Sequence, residues 1–253
     1  MATASLAKPS MSESEWEARL ELASCYRVFD HLGWTESIYN HITLRVPGED
    51  GVFLINPYGL HYSEVTASNL VKIDIEGNKI GDSPYPVNLA GFVQHSAFHR
   101  HVPDAHCVMH THTTAGAAVA SLEDGLSISN IYAAQLAGKI AYHDFEGVTV
   151  REEEGARLIA DLGEKRIMIL RNHGPLTMGS TIAEAFLRMW ALQRACEIQV
   201  AAGAMGRLRT IPAEVITIHQ RDVPKVLSPV GAGAPDLAAM VRLVDRKDQS
   251  WRN

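Results

Sequence analysis

Short β-type runs alternate with helical periods along most of the 253 residues, and this order constrains the fold more than any other feature of the chain. Over 12–30, Trp16, Leu20 and Ala23 mark one apolar face, widened by Leu22, Tyr26 and Phe29, which predicts a helix. Ser12 with Glu15, or Ser14 with Glu17, has capping-box spacing, and Gly33 ends the element. Strand-like runs follow over 42–46, 52–55 and 71–75, punctuated by Pro47-Gly48, Asn56-Pro57 and Glu76-Gly77-Asn78. A helix is predicted over 92–101, stopped before Pro103, and then a compact apolar strand over 105–110 that ends in histidine. A small-residue helix over 113–120 comes next. Strands over 140–142 and 167–170 flank a helix over 152–162 whose acidic first turn suits the macrodipole. A strand over 175–178 and the longest helix, 181–204, complete the pattern. Such an order gives a mixed α/β domain with a strand-rich centre.

Composition adds boundaries. With 46% hydrophobic residues the chain can bury a core of one large domain or two small ones, and no Gly/Ser/Pro linker divides it. We expect a loose tail over 1–11, one domain over 12–206, and an extension over 207–253. That extension mixes Pro212, Pro224, Pro229 and Pro235 with a short helix over 236–244, and is expected to pack on the domain or on a neighbouring subunit. The net charge is −6, and no basic stretch suits nucleic acid or a membrane surface. No run of about 18 apolar residues occurs. Cys25, Cys107 and Cys196 are odd in number, far apart and set among apolar residues, as expected of buried thiols in a reducing compartment. A cytoplasmic protein is expected, with a small-molecule substrate rather than nucleic acid or membrane as its partner.

The sharpest chemical signal is Cys107-Val108-Met109-His110-Thr111-His112. On a strand, residues i and i+2 share a face, so His110 and His112 can present two imidazoles to one point. A hydrogen-bonded, half-buried pair of histidines would have the same spacing. Leu170-Arg171-Asn172-His173-Gly174 offers a third imidazole just past another strand, where glycine permits a close backbone approach. Three imidazoles leave positions open on a metal, the pattern of a catalytic rather than a structural site. His95 and His99 lie at i, i+4 on the predicted helix, a competing metal-compatible pair, although a substrate or supporting contact fits His95 better. His99-Arg100-His101 reads as a solvated or capping cluster, and His31, His61, His143 and His219 as surface or packing residues. No phosphate-cradling G-x-G-x-x-G, P-loop or G-x-S-x-G elbow is present.

Pro103-Asp104-Ala105-His106-Cys107-Val108-Met109-His110-Thr111-His112 and Leu170-Arg171-Asn172-His173-Gly174-Pro175-Leu176-Thr177-Met178-Gly179 are dense in motif residues. With Glu184-Ala185-Phe186 and Arg194-Ala195-Cys196-Glu197-Ile198-Gln199, they make the chain resemble the class II aldolase/adducin family over 15–206. The resemblance implies an α/β/α fold with a mostly antiparallel central sheet flanked by helices. It also implies a homo-oligomer, usually a tetramer, with active sites between subunits. Catalytic members hold zinc by three histidines, and His110, His112 and His173 match those positions; one divalent ion per subunit is expected, Zn first, with Mn or Fe as alternatives. A tyrosine from the neighbouring subunit is the acid in those enzymes, and Tyr132 falls at the matching place.

The departures point to a different substrate. The sugar-phosphate aldolases of this family carry a carboxylate base just before the helix that leads to the His-x-His strand. Pro86-Val87-Asn88-Leu89-Ala90-Gly91 holds no Asp or Glu here, so the base is unassigned, with His95 or a metal-bound hydroxide as candidates. Their phosphate-cradling loops correspond to Ser37-Ile38-Tyr39-Asn40-His41 and Asn56-Pro57-Tyr58-Gly59-Leu60, where bulky Ile38, Tyr39, Tyr58 and Leu60 replace most of the hydroxyls. A phosphate dianion needs convergent donors or cations. We therefore expect a non-phosphorylated hydroxy, keto or aromatic acid, with Asn40, Tyr58, Gly59 and Gly91 as substrate contacts. Adducin itself lacks the metal histidines, so their retention favours an enzyme. The expected activity is a metal-dependent carbon–carbon lyase, a decarboxylase or a retro-aldolase. A mononuclear iron oxygenase and a non-catalytic adducin-like module are the alternatives.

Overall fold

Helix α1 (Glu13–Leu32) begins where the sequence supplies a cap, with Ser12 Oγ accepting from the Glu15 amide at 3.1 Å. The return half of the capping box does not form. The Glu15 carboxylate instead turns inward, 2.8 Å from both Arg19 and Lys72. Gly33 closes the helix at φ 70°, a left-handed conformation that glycine adopts without steric cost. The computed structural model describes residues 11–149, 151, 153–226 and 232–253, so the expected tail lies outside it except for Met11, as does Glu152 at the start of the helix predicted over 152–162.

Among the described residues seven strands make one sheet: β1 (His41–Arg45), β2 (Val52–Ile55), β3 (Val71–Asp74), β4 (Cys107–His110), β5 (Ile140–His143), β6 (Ile167–Leu170) and β7 (Gly174–Gly179). Their spatial order is β3-β2-β1-β4-β7-β6-β5, and every neighbouring pair is antiparallel except β5 with β6. The helices are α2 (Leu89–His101), α3 (Thr114–Ala120), α4 (Ile131–Leu136), α5 (Glu153–Leu162), α6 (Ile182–Met205), α7 (Ala213–Val226) and α8 (Ala234–Asp245).

Period-two alternation sorts the strand side chains between two covers. Cys107 and Met109 enter a cluster with α1 and α6, whereas Val108 enters one with α2 and α5. Ile167 and Ile169 face α3, α4 and α6, whereas Met168 and Leu170 face α5. Phe53, Ile55, Val71 and Ile73 meet Phe92 and Val93 of α2. Both faces of the sheet are thereby buried, giving the α/β/α architecture with a mostly antiparallel sheet that the family resemblance implies.

Local differences have local causes. Helix α2 starts three residues earlier than its periodicity suggests, because Asn88 Oδ1 accepts from the Gly91 amide at 3.4 Å and caps it. Two helices were not predicted. The six-residue α4 is capped by Asn130 and is too short to show a period. Helix α7 buries no residue fully and carries Pro224 near its end, and its prolines read as breakers. Pro212 stands just before its first residue, and its carbonyl accepts from Val215 and Ile216. After Gly206 the described segments contact the rest of the protein at several points. Gln220 Nε2 donates to Ala134 and Ala137 carbonyls of the α4 end, at 3.3 and 2.8 Å. Val244 and Trp251 enter the α1 cluster, Arg27 pairs with Asp248 at 2.8 Å, and the Ala67 amide donates to the Trp251 carbonyl at 2.8 Å.

One hydroxyl ties α1 to the sheet. Buried Tyr26 donates to the Ile42 carbonyl and accepts from the Ile42 amide at 2.9 Å and the Asn56 amide at 3.1 Å. It thus fixes the start of β1 and the end of β2, the two ends that bear Asn40 and Tyr58. Tyr26→Phe leaves both amides without this acceptor. Urea unfolding should show a loss of about 1–3 kcal/mol with an unchanged m value.

Candidate metal centre

Strand β4 ends at His110, but the extended path continues, since the Thr111 amide donates to the Pro175 carbonyl at 3.1 Å. His112 follows on the same side. His173 stands in the turn between β6 and β7, after Asn172 at φ 55°. The turn can approach β4 because residue 174 is glycine: a Cβ there would sit 2.3 Å from the Thr111 carbonyl oxygen.

The three rings converge through their Nε2 atoms. His110 to His112 is 2.8 Å, His110 to His173 is 3.1 Å, and His112 to His173 is 2.9 Å. His110 Nδ1 is 2.9 Å from the Pro175 carbonyl oxygen, which only accepts, so its N–H is on Nδ1 and its lone pair on Nε2. Burial pushes all three pKa values down, that of His173 to about 4, with the nearby carboxylate of Glu36 opposing the shift at His112. At neutral pH the group therefore offers lone pairs, not imidazolium protons. Three mutually close nitrogens cannot all be satisfied by the N–H groups that remain. A cation among them can satisfy all three, and neutral imidazole nitrogen suits a divalent transition metal. The residues fit a metal.

Behind His110 lies a second polar cluster. His41 pairs with His110 across β1 and β4, their ring centroids 5.3 Å apart. His41 Nδ1 is 2.9 Å from His95 Nε2, and His95 Nδ1 is 2.8 Å from Thr43 Oγ1. Thr43 Oγ1 is 2.8 Å from His99 Nε2, and His99 Nδ1 is 2.7 Å from the Ala105 carbonyl oxygen. The expectation that His99 belongs to a solvated or capping cluster is corrected: Arg100 and His101 are exposed, but His99 is buried and stacked on Phe53 at 4.5 Å and 12°. Strand β2 supplies the apolar surface that draws it inward. His95 is buried with both nitrogens engaged, one shell behind His41.

The other sequence-derived residues are placed separately. Asn40 is buried and donates through Nδ2 to the Trp34 carbonyl at 3.1 Å; its Oδ1 has no partner among the described residues. Tyr58 is half-buried and its amide donates to the Pro86 carbonyl at 3.3 Å, while Gly59 is exposed at φ 100°. Gly91 lies against His41, and a Cβ there would come within 2.6 Å of His41 Cδ2. Tyr132 packs half-buried in the α3–α4–α6 cluster, on the opposite face of the sheet from His110. Sequence reasoning missed His41 and Thr43 as partners of the site. Their signal is the strand register, which no local spacing reveals. Beside His112 a cavity of about 280 Å³ is lined by Trp34, Glu36, Thr113, Gln193 and Glu197 among others. A larger groove of about 1370 Å³, bordered by α1 and α8, includes none of the three histidines.

The fold and the three-histidine group together define a member of a known class. Residues 20–200 match the Class II Aldolase and Adducin N-terminal domain. The crystal structure of an aldolase II superfamily protein from Pseudomonas syringae superposes with a TM-score of 0.88 at 41% identity, covering 96% of this chain and 98% of that one. L-fuculose 1-phosphate aldolase from Glaciozyma antarctica gives 0.83 at 27% identity, covering 97% of each chain. Alpha-adducin of Rattus norvegicus is 41% identical over 242 residues, which span 90% of this chain and 33% of adducin. The chain belongs to the class II aldolase/adducin family.

Burial of a neutral imidazole makes stability depend on pH. Desolvation pushes His99 down to about 3 in the folded chain, against about 6.5 when unfolded. Between those values the unfolded state binds the extra proton, so stability is complete above about pH 6.5 and falls as the pH drops below it. Urea unfolding of the metal-free protein between pH 6.5 and 5 should lose about 1.4 kcal/mol per pH unit from this residue. His99→Leu should flatten the slope by about that amount.

Proposed function

We propose that this chain is a divalent-metal-dependent carbon–carbon lyase acting on a non-phosphorylated hydroxy, keto or aromatic carboxylic acid. The observation that supports it most is the convergence of three neutral imidazole nitrogens, with the His110 tautomer set by the Pro175 carbonyl. His110, His112 and His173 would hold the ion, with zinc first among the candidates and manganese or iron after it. Bound there, the ion would act as a Lewis acid on a substrate oxygen and stabilise the negative charge that develops when a carbon–carbon bond breaks. The likeness to an L-fuculose 1-phosphate aldolase supports lyase chemistry.

Two features argue against a phosphorylated substrate. The segments 37–41, 56–60 and 86–91 contain no Lys or Arg. The cavity beside His112 is lined by Glu36, and its Glu197 is already paired with Arg194, so the described lining offers a phosphate dianion no free cation and opposes it more than a monoanionic carboxylate. The segment 86–91 also lacks a carboxylate base, which favours decarboxylation of an acid with a carbonyl β to the carboxylate, since the pair released with CO₂ would pass to that carbonyl as an enolate without a prior proton abstraction. Asn40, with its buried and unmatched Oδ1, is a substrate contact, and Tyr58, Gly59 and Gly91 complete that rim. Tyr132 would act as the acid from a neighbouring subunit, in a homotetramer whose sites lie between subunits, within the cytoplasm.

A second reading, a non-catalytic adducin-like module, is favoured by the 41% identity to alpha-adducin. Metal quantification separates the two. The purified protein should hold about one divalent ion per chain, and His110→Ala and His173→Ala should each lower that content about tenfold or more. Unchanged occupancy in both variants would overturn the lyase reading, as would a full metal load with no cleavage of any hydroxy or keto acid. A phosphorylated sugar acid turned over faster than its free counterpart would overturn the substrate assignment.

A further inference from the structure

The hydrogen-bonded series behind His110 has a direction, and the direction can be followed atom by atom. It ends on the Ala105 carbonyl oxygen, which can only accept, so His99 carries its hydrogen on Nδ1. His99 is buried with no carboxylate against it, and desolvation keeps the ring neutral, so its Nε2 is a bare acceptor. Thr43 Oγ1 must therefore donate its single hydrogen to His99 Nε2, and it can then only accept from His95. His95 thus carries its hydrogen on Nδ1, and its Nε2 accepts from His41 Nδ1. Both rings are buried and meet no carboxylate in these contacts, so each holds one hydrogen. What remains at the near end is His41 Nε2, a lone pair on the ring whose centroid is 5.3 Å from that of His110, with no hydrogen-bond partner among the described residues.

We propose that His41 Nε2 accepts a hydrogen bond from a hydroxyl group of the substrate, and that Thr43, acting through His95, is the positioning residue that turns this lone pair towards the site. The proposal rests on the lyase reading above and narrows its substrate class. An acceptor at this point selects an α-hydroxy acid, whose hydroxyl donates, over the matching α-keto acid, whose carbonyl cannot. Several placements support it. Strand register sets His41 directly across from His110, and the two rings lie 5.3 Å apart. The glycine at 91 leaves room for the His41 ring, since a Cβ would fall 2.6 Å from Cδ2 and 3.1 Å from Nε2. The series contains no acid and no exposed member, so nothing within it can supply a hydrogen to His41 Nε2 without reversing every bond back to Ala105. Reversal is blocked there, because a carbonyl has no hydrogen to give.

The test has two independent readouts. The first is the His41 tautomer in metal-free, ¹⁵N-labelled protein, read from imidazole nitrogen shifts and assigned with His41→Gln. We expect Nδ1–H and a bare Nε2 in the native chain and in Thr43→Ser, which keeps the hydroxyl, and loss of that single tautomer in Thr43→Val. The second is the affinity of the zinc-loaded protein for lactate against pyruvate by calorimetry. The native chain should prefer lactate, and Thr43→Val should reduce that preference by roughly three- to tenfold, largely through weaker lactate binding, with Thr43→Ser restoring it. Nε2–H at His41 in the native protein would overturn the proposal. So would equal weakening of lactate and pyruvate in Thr43→Val, the mark of a purely structural role, or a native chain that prefers pyruvate. Because the tautomer is read without metal, it stands or falls apart from the lyase reading, which the metal occupancy of His110→Ala and His173→Ala tests.

Discussion

The antiparallel register that sets His41 opposite His110 is the constraint on which the molecule turns. It joins two strands 69 positions apart in the chain, at the centre of the sheet order. Because side chains alternate with period two, one register fixes both layers at once. Ile42, Leu44, Cys107 and Met109 go to the α1 side, while His41, Thr43, Val108 and His110 go to the α2 side. A slip of one residue would drive imidazoles into the apolar cluster around Phe29 and Phe186 and turn Met109 towards the site. The hydrophobic partition of the fold and the geometry of the three-histidine group are therefore the same fact, enforced by the same pairing.

Burying so many histidines side by side succeeds only because two backbone carbonyls organise them. Pro175 takes the hydrogen of His110, and Ala105 takes that of His99, and the remaining protons follow from these two anchors. Neither oxygen can reverse its role, whereas a serine or amide could. The sheet thus supplies fixed acceptors at two points, and the side chains between them have one self-consistent arrangement. The energetic cost of burying neutral imidazole is modest when each N–H has an acceptor, and large for imidazolium, so the whole cluster stays uncharged at neutral pH.

The fold was legible in the sequence because its elements have strong periods. The helix around Trp16, Leu20 and Phe29, the strands at 52–55 and 167–170, and the long helix ending at Met205 needed little beyond apolar spacing and caps. The elements that escaped, α4 and α7, are respectively too short to show a period and bounded by prolines that usually break helices. Of the site, His110, His112 and His173 were visible because two are adjacent in a motif and the third precedes a glycine. His41 and Thr43 were not, because their role depends on a pairing between distant strands. His99 was misjudged for a related reason: its neighbours Arg100 and His101 are exposed, and only the arrival of Phe53 from β2 shows that residue 99 faces inward.

Gly91 has a consequence for how such chains can diverge. The His41 ring fills the volume that any side chain at 91 would claim. The two positions are therefore not free to drift separately. Among relatives, an imidazole at the first should accompany glycine at the second, and a residue with a Cβ at the second should accompany something smaller, or differently directed, at the first. A pairwise signature of this kind would sort the family into branches by what stands beside the three histidines rather than by those histidines themselves.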